Sequence, residues 1–154
     1  QPGHEHPRRP VHGFACTRSE VSGRRLWGLM RERFGTAEAF FRDHFAVNYC
    51  PLVFMEESGK NLTPDKLRKE DRLPLFSICD THMRKVIETL APEVVVGIGR
   101  FAESQLRPLI DDMSGRFAGL RVTSIPHPSP ANPRANSGWA ELATGALVEE
   151  GIWT

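Results

Sequence analysis

One apolar segment, residues 94–98 (Val-Val-Val-Gly-Ile), restricts the fold of this chain more than any other feature. It shows no polar alternation, which is typical of a parallel β-strand covered on both faces. Gly99 and Arg100 follow it and lead into an amphipathic helical pattern, after which residues 120–125 form a second β-rich run. Strand, helix and strand in this order predict a parallel α/β unit with a right-handed crossover.

Further patterns extend this unit in both directions. Apolar spacings of three and four predict helices over about 22–34, 71–90 and 139–150, and Thr36 can cap a short helix over 37–44. A β-rich segment at 45–51, ended by a proline, predicts another strand. The 154 residues, of which 25% are charged and 40% hydrophobic, predict one α/β domain over 1–154, with residues 1–21 mostly loop.

Charge and cysteine content exclude several classes of protein. The formal net charge is only +1, so any affinity for nucleic acid must come from a local patch, and the arginines between residues 8 and 31 form either such a patch or a solvated face. Three isolated cysteines without a C-x-x-C motif predict a reducing compartment and no zinc or iron–sulfur site. With no signal peptide and no apolar span, we expect an intracellular protein without a membrane partner.

The first 25 residues lack any apolar periodicity. His4, His6 and His12 could be drawn as a metal site, but histidines in a loop without a further ligand are more often solvated. Because a globular domain rarely begins with so long a structureless stretch, we expect the domain to be incomplete at its N-terminus.

The turn after the first strand also matches a loose dinucleotide fingerprint, Gly97-x-Gly99-x-x-Ala102. The acidic residue that should end the next strand is missing, which disfavours a nicotinamide cofactor. A phosphate contact at the start of the following helix, a nucleic-acid backbone included, stays open.

A single histidine, His127, lies between two prolines where the second strand ends, and a polar, proline-rich loop follows it. Prolines make this loop stiff and keep it out of any β-ladder. The alternative is a proline-rich connection with an incidental histidine. Asn48 in the strand at 45–51 has a similar alternative, a hydrogen bond to the adjacent turn.

The carboxyl ends of parallel strands meet at one edge of a sheet, so Asn48, Gly99-Arg100 and His127 could converge on one cleft. An asparagine amide can pair with uracil N3–H and O4, and an imidazole can donate to O2, where negative charge builds as the N-glycosidic bond breaks. A stiff loop can enter the space left by a flipped base. These residue types together predict a base-excision site.

Five sequence blocks resemble the single-strand-selective monofunctional uracil-DNA glycosylases, in the family's order from about residue 6 to the end. The last block runs from His127-Pro128-Ser129-Pro130 through Asn132-Pro133, Ala135-Asn136 and Gly138-Trp139. The others are Ser19-Glu20-Val21-Ser22-Gly23, Asn48-x-Cys50-Pro51, Gly59-x-Asn61-Leu62-Thr63-Pro64 and Gly97-x-Gly99-Arg100-x-Ala102-Glu103.

The resemblance implies a three-layer α/β/α fold around a mainly four-stranded parallel sheet, and an enzyme of base-excision repair without metal or cofactor. It would act as a monomer on single- and double-stranded DNA that contains uracil or 5-modified uracils such as 5-hydroxymethyluracil. The compartment would be the nucleus of a eukaryote or the cytoplasm and nucleoid of a bacterium. By family role, His127 stabilises the departing uracil anion and Asn48 reads the base. The implied DNA contacts are Gly99, Arg100, Pro128, Ser129, Pro130, Asn132, Arg134 and Asn136.

Two departures from the family pattern change what we expect. Ala131 follows Pro130 where the family often carries arginine, so the loop's wedge is weaker or falls to Arg134. The 154 residues contain no Gly-Met-Asn-Pro-Gly-Pro-Phe block, which in the family holds the asparagine that positions the attacking water. We therefore expect a C-terminal portion that cleaves poorly or not at all on its own. The competing interpretation is a DNA- or uracil-binding module without catalysis.

Overall fold

The computed structural model describes residue 3, residues 5–113 and residues 115–154. They form two compact units. The first unit comprises residues 1–19 and 47–83, and the second unit comprises residues 20–46 and 84–154. The single domain over 1–154 stays a prediction.

Within the described residues the chain forms six α-helices and four strands. The helices are α1 (Val21–Phe34), α2 (Ala37–Phe41), α3 (Lys69–Leu90), α4 (Arg100–Met113), α5 (Pro133–Asn136) and α6 (Trp139–Glu149). The strands are β1 (Phe54–Met55), β2 (Asn61–Leu62), β3 (Val94–Ile98) and β4 (Arg121–Ile125). No helix among the described residues combines the length and the apolar character needed to cross a membrane.

The parallel pair predicted from the apolar runs forms the sheet of the second unit. Strand β3 pairs with β4 from Val94 opposite Arg121 to Ile98 opposite Ile125, and α4 connects the two strands. A glycine at position 97 lets α4 approach β3, because a Cβ there would lie 2.8 Å from the backbone nitrogen of Glu103. The α/β class is confirmed, but the parallel sheet of the described residues has two strands instead of the four that the resemblance implies.

The strand predicted over 45–51 is wrong. These residues have no strand conformation, and the strands described elsewhere pair only as β1 with β2 and β3 with β4. Phe45 and Val47 are exposed, so no packed sheet face favours an extended ladder here. Pro51 also lacks the backbone N–H that a ladder needs. Asn48 therefore lies in an irregular, exposed segment instead of at a strand end.

The predicted helices form with small changes at their ends. The Glu20 side chain caps α1 by accepting from the Gly23 N–H (3.2 Å), and Gly35 ends the helix at φ +76°. Thr36 caps α2 by accepting from the Ala39 N–H (3.2 Å), although the helix stops at Phe41. On α4 the buried apolar side chains are Leu106, Leu109, Ile110 and Met113, whereas Phe101 is partly exposed.

A single apolar core joins α1, α2, β4 and α6 in the second unit. Its buried members are Leu29, Met30, Phe40, Ile125, Ala135, Trp139, Ala143, Leu147 and Trp153. Phe34 packs edge to face with Phe40 (5.4 Å between ring centroids) and with Trp153 (6.1 Å). Because Ile125 and Ala135 belong to this core, it holds both ends of the segment that carries His127.

The first unit contains the short antiparallel pair β1–β2, joined by a turn with Gly59 at φ +80°. The N-terminal loop lies against this turn. His6 Nε2 donates to the Glu57 carbonyl (3.1 Å), and Arg9 Nε donates to the Gly59 carbonyl (2.8 Å). Along the part of α3 that lies in this unit, the buried side chains Cys79 and Met83 are four positions apart.

Candidate functional site

His127 lies two residues beyond the end of β4, next to the first turn of α4. The Gly99 N–H donates to the Ile125 carbonyl (2.8 Å), which joins the ends of β3 and β4. Gly99 has φ +90°, and a Cβ at this position would lie 2.8 Å from His127 Cβ. Glycine is therefore required here both for the backbone conformation and for the close approach of the histidine.

A backbone N–H orients the imidazole of His127, and a side-chain amide holds its backbone carbonyl. The Ser129 N–H donates to His127 Nδ1 over 3.1 Å, so Nδ1 is an acceptor and the ring proton lies on Nε2. On the other side, Asn132 Nδ2 donates to the His127 carbonyl (3.0 Å). The His127 side chain is exposed, so its Nε2–H can donate to a bound molecule.

The segment 126–137, which we call the His127 loop, is ordered by short hydrogen bonds of its own. The Ala131 N–H donates to Ser129 Oγ (3.2 Å), and the Asn132 N–H donates to the Ser129 carbonyl (2.9 Å). Helix α5 occupies its second half, with Pro133 at the first position. Pro128 and Ala135 are buried, whereas Pro130, Ala131, Arg134 and Asn136 are exposed. The loop therefore presents a stiff, exposed tip from a buried base.

Two side chains, Trp139 and Arg25, attach the His127 loop to its surroundings, and Asn136 connects two points within it. Trp139 Nε1 donates to the Pro126 carbonyl (2.7 Å) from the start of α6. Arg25 of α1 donates to the Pro128 carbonyl (2.8 Å) and to Asn136 Oδ1 (3.0 Å). Asn136 Nδ2 donates to the Pro130 carbonyl (3.0 Å). In the sequence Arg25 is one of several clustered arginines, and the only signal that distinguishes it is its place beside the block at residues 19–23.

A cleft of about 860 Å³ opens beside His127 in the second unit. It brings together five of the predicted site residues, Gly99, Arg100, His127, Asn132 and Arg134. Pro128, Ser129, Pro130 and Asn136 belong to the His127 loop without lining this cleft. Arg100 and Arg134 are exposed, and the carboxylates that also line the cleft are Glu103, Glu141 and Glu149.

The carboxylate of Glu103 is held inside the second unit. It accepts from Arg107 Nε (2.9 Å) and Nη2 (2.6 Å) through one oxygen and from Ser124 Oγ (2.9 Å) through the other. The hydrogen bonds from Arg107, and then from Ser124, lower the pKa of the Glu103 carboxyl. Glu103 is therefore an ionised, internally paired group.

Asn48 lies in the first unit and is exposed. Its neighbour Tyr49 is buried, and the Tyr49 hydroxyl donates to Asp80 Oδ1 of α3 (2.6 Å). Burial, and then the hydrogen bond to Asp80, raise the pKa of Tyr49, which keeps the hydroxyl protonated. Burial also raises the pKa of Cys79 to about 11, with a further contribution from a hydrogen bond to Cys50. Because Asn48 and His127 belong to different units, their convergence on one site stays a prediction.

The N-terminal histidines do not form a metal site among the residues described. His6 uses both ring nitrogens within the first unit, since the Arg8 N–H donates to Nδ1 (3.2 Å) while Nε2 bonds to Glu57. His4 lies outside the described residues. In the part of the chain that the structure describes, no three His, Cys, Asp or Glu side chains are grouped so that they could hold a metal ion.

Residues 1–144 match the Uracil DNA glycosylase superfamily, and the chain belongs to this superfamily. Over 151 residues it is 43% identical to a single-strand selective monofunctional uracil-DNA glycosylase of Rattus norvegicus. Its identity is 42% to the Mus musculus protein and 40% to the Bos taurus protein, each described as a single-strand selective monofunctional uracil DNA glycosylase. The family resemblance seen in the sequence blocks is thereby confirmed.

These alignments cover nearly all of this chain and part of each relative. They include 98% of the chain, but 53% of the rat and mouse proteins and 54% of the bovine protein. The chain therefore spans about half the length of the curated relatives that it matches.

Proposed function

We propose that the gene product containing these residues is a uracil-DNA glycosylase of base-excision repair, which hydrolyses the N-glycosidic bond of uracil in DNA. The observation that carries this proposal is the fixed imidazole of His127. The Ser129 N–H occupies Nδ1, which leaves an Nε2–H donor exposed at the carboxyl end of β4. Membership of the superfamily and the relatives' names support the same activity.

The chemistry follows from where charge develops. When the C1′–N1 bond breaks, its electron pair leaves with the base, and the negative charge spreads onto uracil O2. A fixed N–H donor aimed at O2 stabilises this charge more in the transition state than in the substrate. The sugar becomes oxocarbenium-like and takes up hydroxide from water, whose remaining proton balances the uracil anion. His127 keeps its own proton throughout, so no second base is needed to restore it.

Groups around the cleft supply contacts for DNA. Arg100 and Arg134 are exposed cations on either side of His127 in sequence, suited to phosphate oxygens. Helix α4 begins at Arg100, directly after Gly99, and the positive end of a helix dipole favours a phosphate there. The exposed tip of the His127 loop can enter a stack from which a base has been flipped. Ala131 is too small to fill that space, so the wedge is weaker or falls to Arg134.

The finer assignments belong to the same proposal. Asn48 would read the N3–H and O4 edge of uracil, a pattern that cytosine does not present. The substrates would be single- and double-stranded DNA with uracil or 5-modified uracils, and the enzyme would act as a monomer in the compartment that holds the cell's DNA. The rat and mouse relatives are described as single-strand selective, which supports single-stranded DNA as the better substrate.

Single-turnover uracil release by the full-length gene product from labelled oligonucleotides tests the activity. We expect His127→Ala to lower the rate about 10²- to 10³-fold, as loss of a charge-stabilising donor typically does. His82→Ala is the matched control, because His82 is an exposed histidine on α3 that lines no part of the cleft. Equal rates for His127→Ala and the unmodified protein would remove His127 from the mechanism.

The alternative is a DNA- or uracil-binding module of the same fold without catalysis. On this alternative the full-length gene product binds uracil-containing or abasic oligonucleotides and releases no uracil, even at protein excess. Rapid release by the full-length protein would exclude the binding module.

A further inference from the structure

We propose that Arg25 is a positioning residue for the leaving-group donor, acting on His127 through the backbone on both sides of Ser129. The inference rests on the proposed glycosylase function and assigns a residue that works without touching the substrate. Arg25 lies on α1, 103 positions before its first partner in the His127 loop. It is half-buried, as suits a side chain that serves an internal contact.

The first step is the contact of the guanidinium with the loop. Arg25 Nη1 donates to the Pro128 carbonyl at 2.8 Å, and Nη2 donates to Asn136 Oδ1 at 3.0 Å. The two nitrogens belong to one rigid plane, so the distance between these acceptors is fixed by the side chain itself. A lysine ammonium has the same charge but no fork of this geometry.

The second step runs through Asn136. Its Oδ1 accepts from Arg25, and its Nδ2 donates to the Pro130 carbonyl at 3.0 Å. Both ends of the amide are therefore occupied within the second unit. Asn136 was predicted from the resemblance as a DNA contact, whereas its hydrogen bonds fit a residue that connects Arg25 to Pro130.

The third step links these contacts to the imidazole. Pro128 and Pro130 flank Ser129, whose N–H donates to His127 Nδ1. Arg25 bonds directly to the carbonyl of Pro128, which precedes Ser129. Through Asn136 it is connected to the carbonyl of Pro130, which follows Ser129. The orientation of the Ser129 N–H, and with it the position of the proton on His127 Nε2, therefore depends on Arg25. Catalysis by a fixed donor requires such preorganisation.

The single-turnover rate and the salt dependence of DNA binding distinguish a positioning role of Arg25 from a phosphate contact. We expect Arg25→Ala to lower the single-turnover rate at saturating protein about tenfold or more, with the slope of log Kd against log salt for abasic DNA unchanged. A phosphate contact predicts the reverse, an unchanged rate and a slope smaller by about 1, and that result would overturn the proposal. Arg24→Ala removes the same charge one residue earlier on α1 and should keep the full rate.

Two further variants test the connection itself. Arg25→Lys keeps the charge and should be as slow as Arg25→Ala, because one nitrogen cannot reach both acceptors. A full rate with lysine would show that the two nitrogens of the guanidinium are not needed. Asn136→Ala should lower the rate in the same way, and the double variant should be no slower than Arg25→Ala alone. Additive losses would contradict a shared path. Asn136 is exposed, so this variant also serves if Arg25→Ala does not fold.

Amide hydrogen exchange gives a readout that does not depend on activity. The Asn132 N–H bonds to the Ser129 carbonyl, and its exchange should accelerate in Arg25→Ala and not in Arg24→Ala. Unchanged exchange at residue 132 together with an unchanged rate would overturn the inference. His127→Ala, measured in parallel, isolates the proposed function: if that variant is inactive and Arg25→Ala is fully active, only the role of Arg25 fails.

Discussion

The segments that carry the two base-facing candidates, His127 and Asn48, are held in different ways. The His127 loop is attached through backbone carbonyls, at Pro126 by Trp139 and at Pro128 by Arg25, with Ala135 in the core of the second unit. The segment of Asn48 is attached through the side chains of its neighbours. The hydroxyl of the buried Tyr49 bonds to Asp80, and Cys50 is hydrogen-bonded to Cys79.

The difference matches the chemistry proposed for each residue. A donor that stabilises charge in a transition state must already be in place, and backbone attachments on both sides of His127 achieve this within the second unit. A residue that reads a base gains from a buried neighbour but keeps its own side chain exposed to the ligand.

Gly99→Ala should have the largest effect. The new Cβ would lie 2.8 Å from His127 Cβ at φ +90°, so the imidazole must move and the backbone is strained by roughly 1–3 kcal/mol. We expect single-turnover uracil release to fall about 100-fold. Gly28→Ala is the control, because a Cβ there meets nothing within 4 Å and the helix α1 should gain about 0.5–1 kcal/mol. Normal activity of Gly99→Ala would mean that the position of His127 is not critical.

Trp139→Phe tests the attachment at the start of the His127 loop. It removes the Nε1–H that bonds the Pro126 carbonyl at 2.7 Å and leaves that partly buried oxygen unpaired, at a cost of roughly 2 kcal/mol. Thermal or urea unfolding measures the loss. Trp27→Phe, at a half-exposed tryptophan, should cost less than half as much. Equal losses would show that ring size, and not the hydrogen bond, matters at position 139.

Tyr49→Phe tests the attachment in the first unit. The ring stays but the hydroxyl bond to Asp80 is lost, and we expect the free energy of unfolding to fall by about 1 kcal/mol. If Asn48 reads the base, the KM for uracil-containing DNA should rise more than kcat falls. A loss of kcat with KM unchanged would indicate that this segment acts on the chemical step instead of on binding.

Glu103→Gln should have the smallest effect, and its effect should depend on pH. Arg107 and Ser124 lower the pKa of Glu103 in the folded protein. The carboxylate therefore stabilises the fold above the pKa of an unfolded glutamate, about 4.3, and this stabilisation is lost as the pH falls through the lower pKa of the folded state. The Tm difference from the unmodified protein should be roughly 1–2 °C near neutral pH and should vanish under strongly acidic conditions. A difference that persists in acid would exclude the carboxylate charge as its cause.

The sequence predicted most of the second unit because its signals are local. The apolar run at 94–98, the cap at Thr36 and the glycine at residue 35 each determine their element from neighbours in the chain. His127 could be found for the same reason, since two prolines at the end of a β-rich run mark a stiff loop.

What the sequence missed depends on distant partners. The β-rich residues at 45–51 do not form a strand, because β-propensity acts only where a partner strand and a packed face exist. Arg25 looked like any arginine in a basic stretch, and its acceptors are 103 and 111 positions away. Neither fact can be read from local pattern.

The position of the proton on the His127 ring tests whether a fixed Nε2–H donor is available to the departing uracil. Long-range proton–nitrogen NMR correlations of the neutral imidazole distinguish a proton on Nε2 from one on Nδ1. The contact with the Ser129 N–H requires the proton on Nε2, with Nδ1 as the acceptor. A proton on Nδ1 would contradict the account, because the donor proposed for the departing uracil would then point back into its own loop.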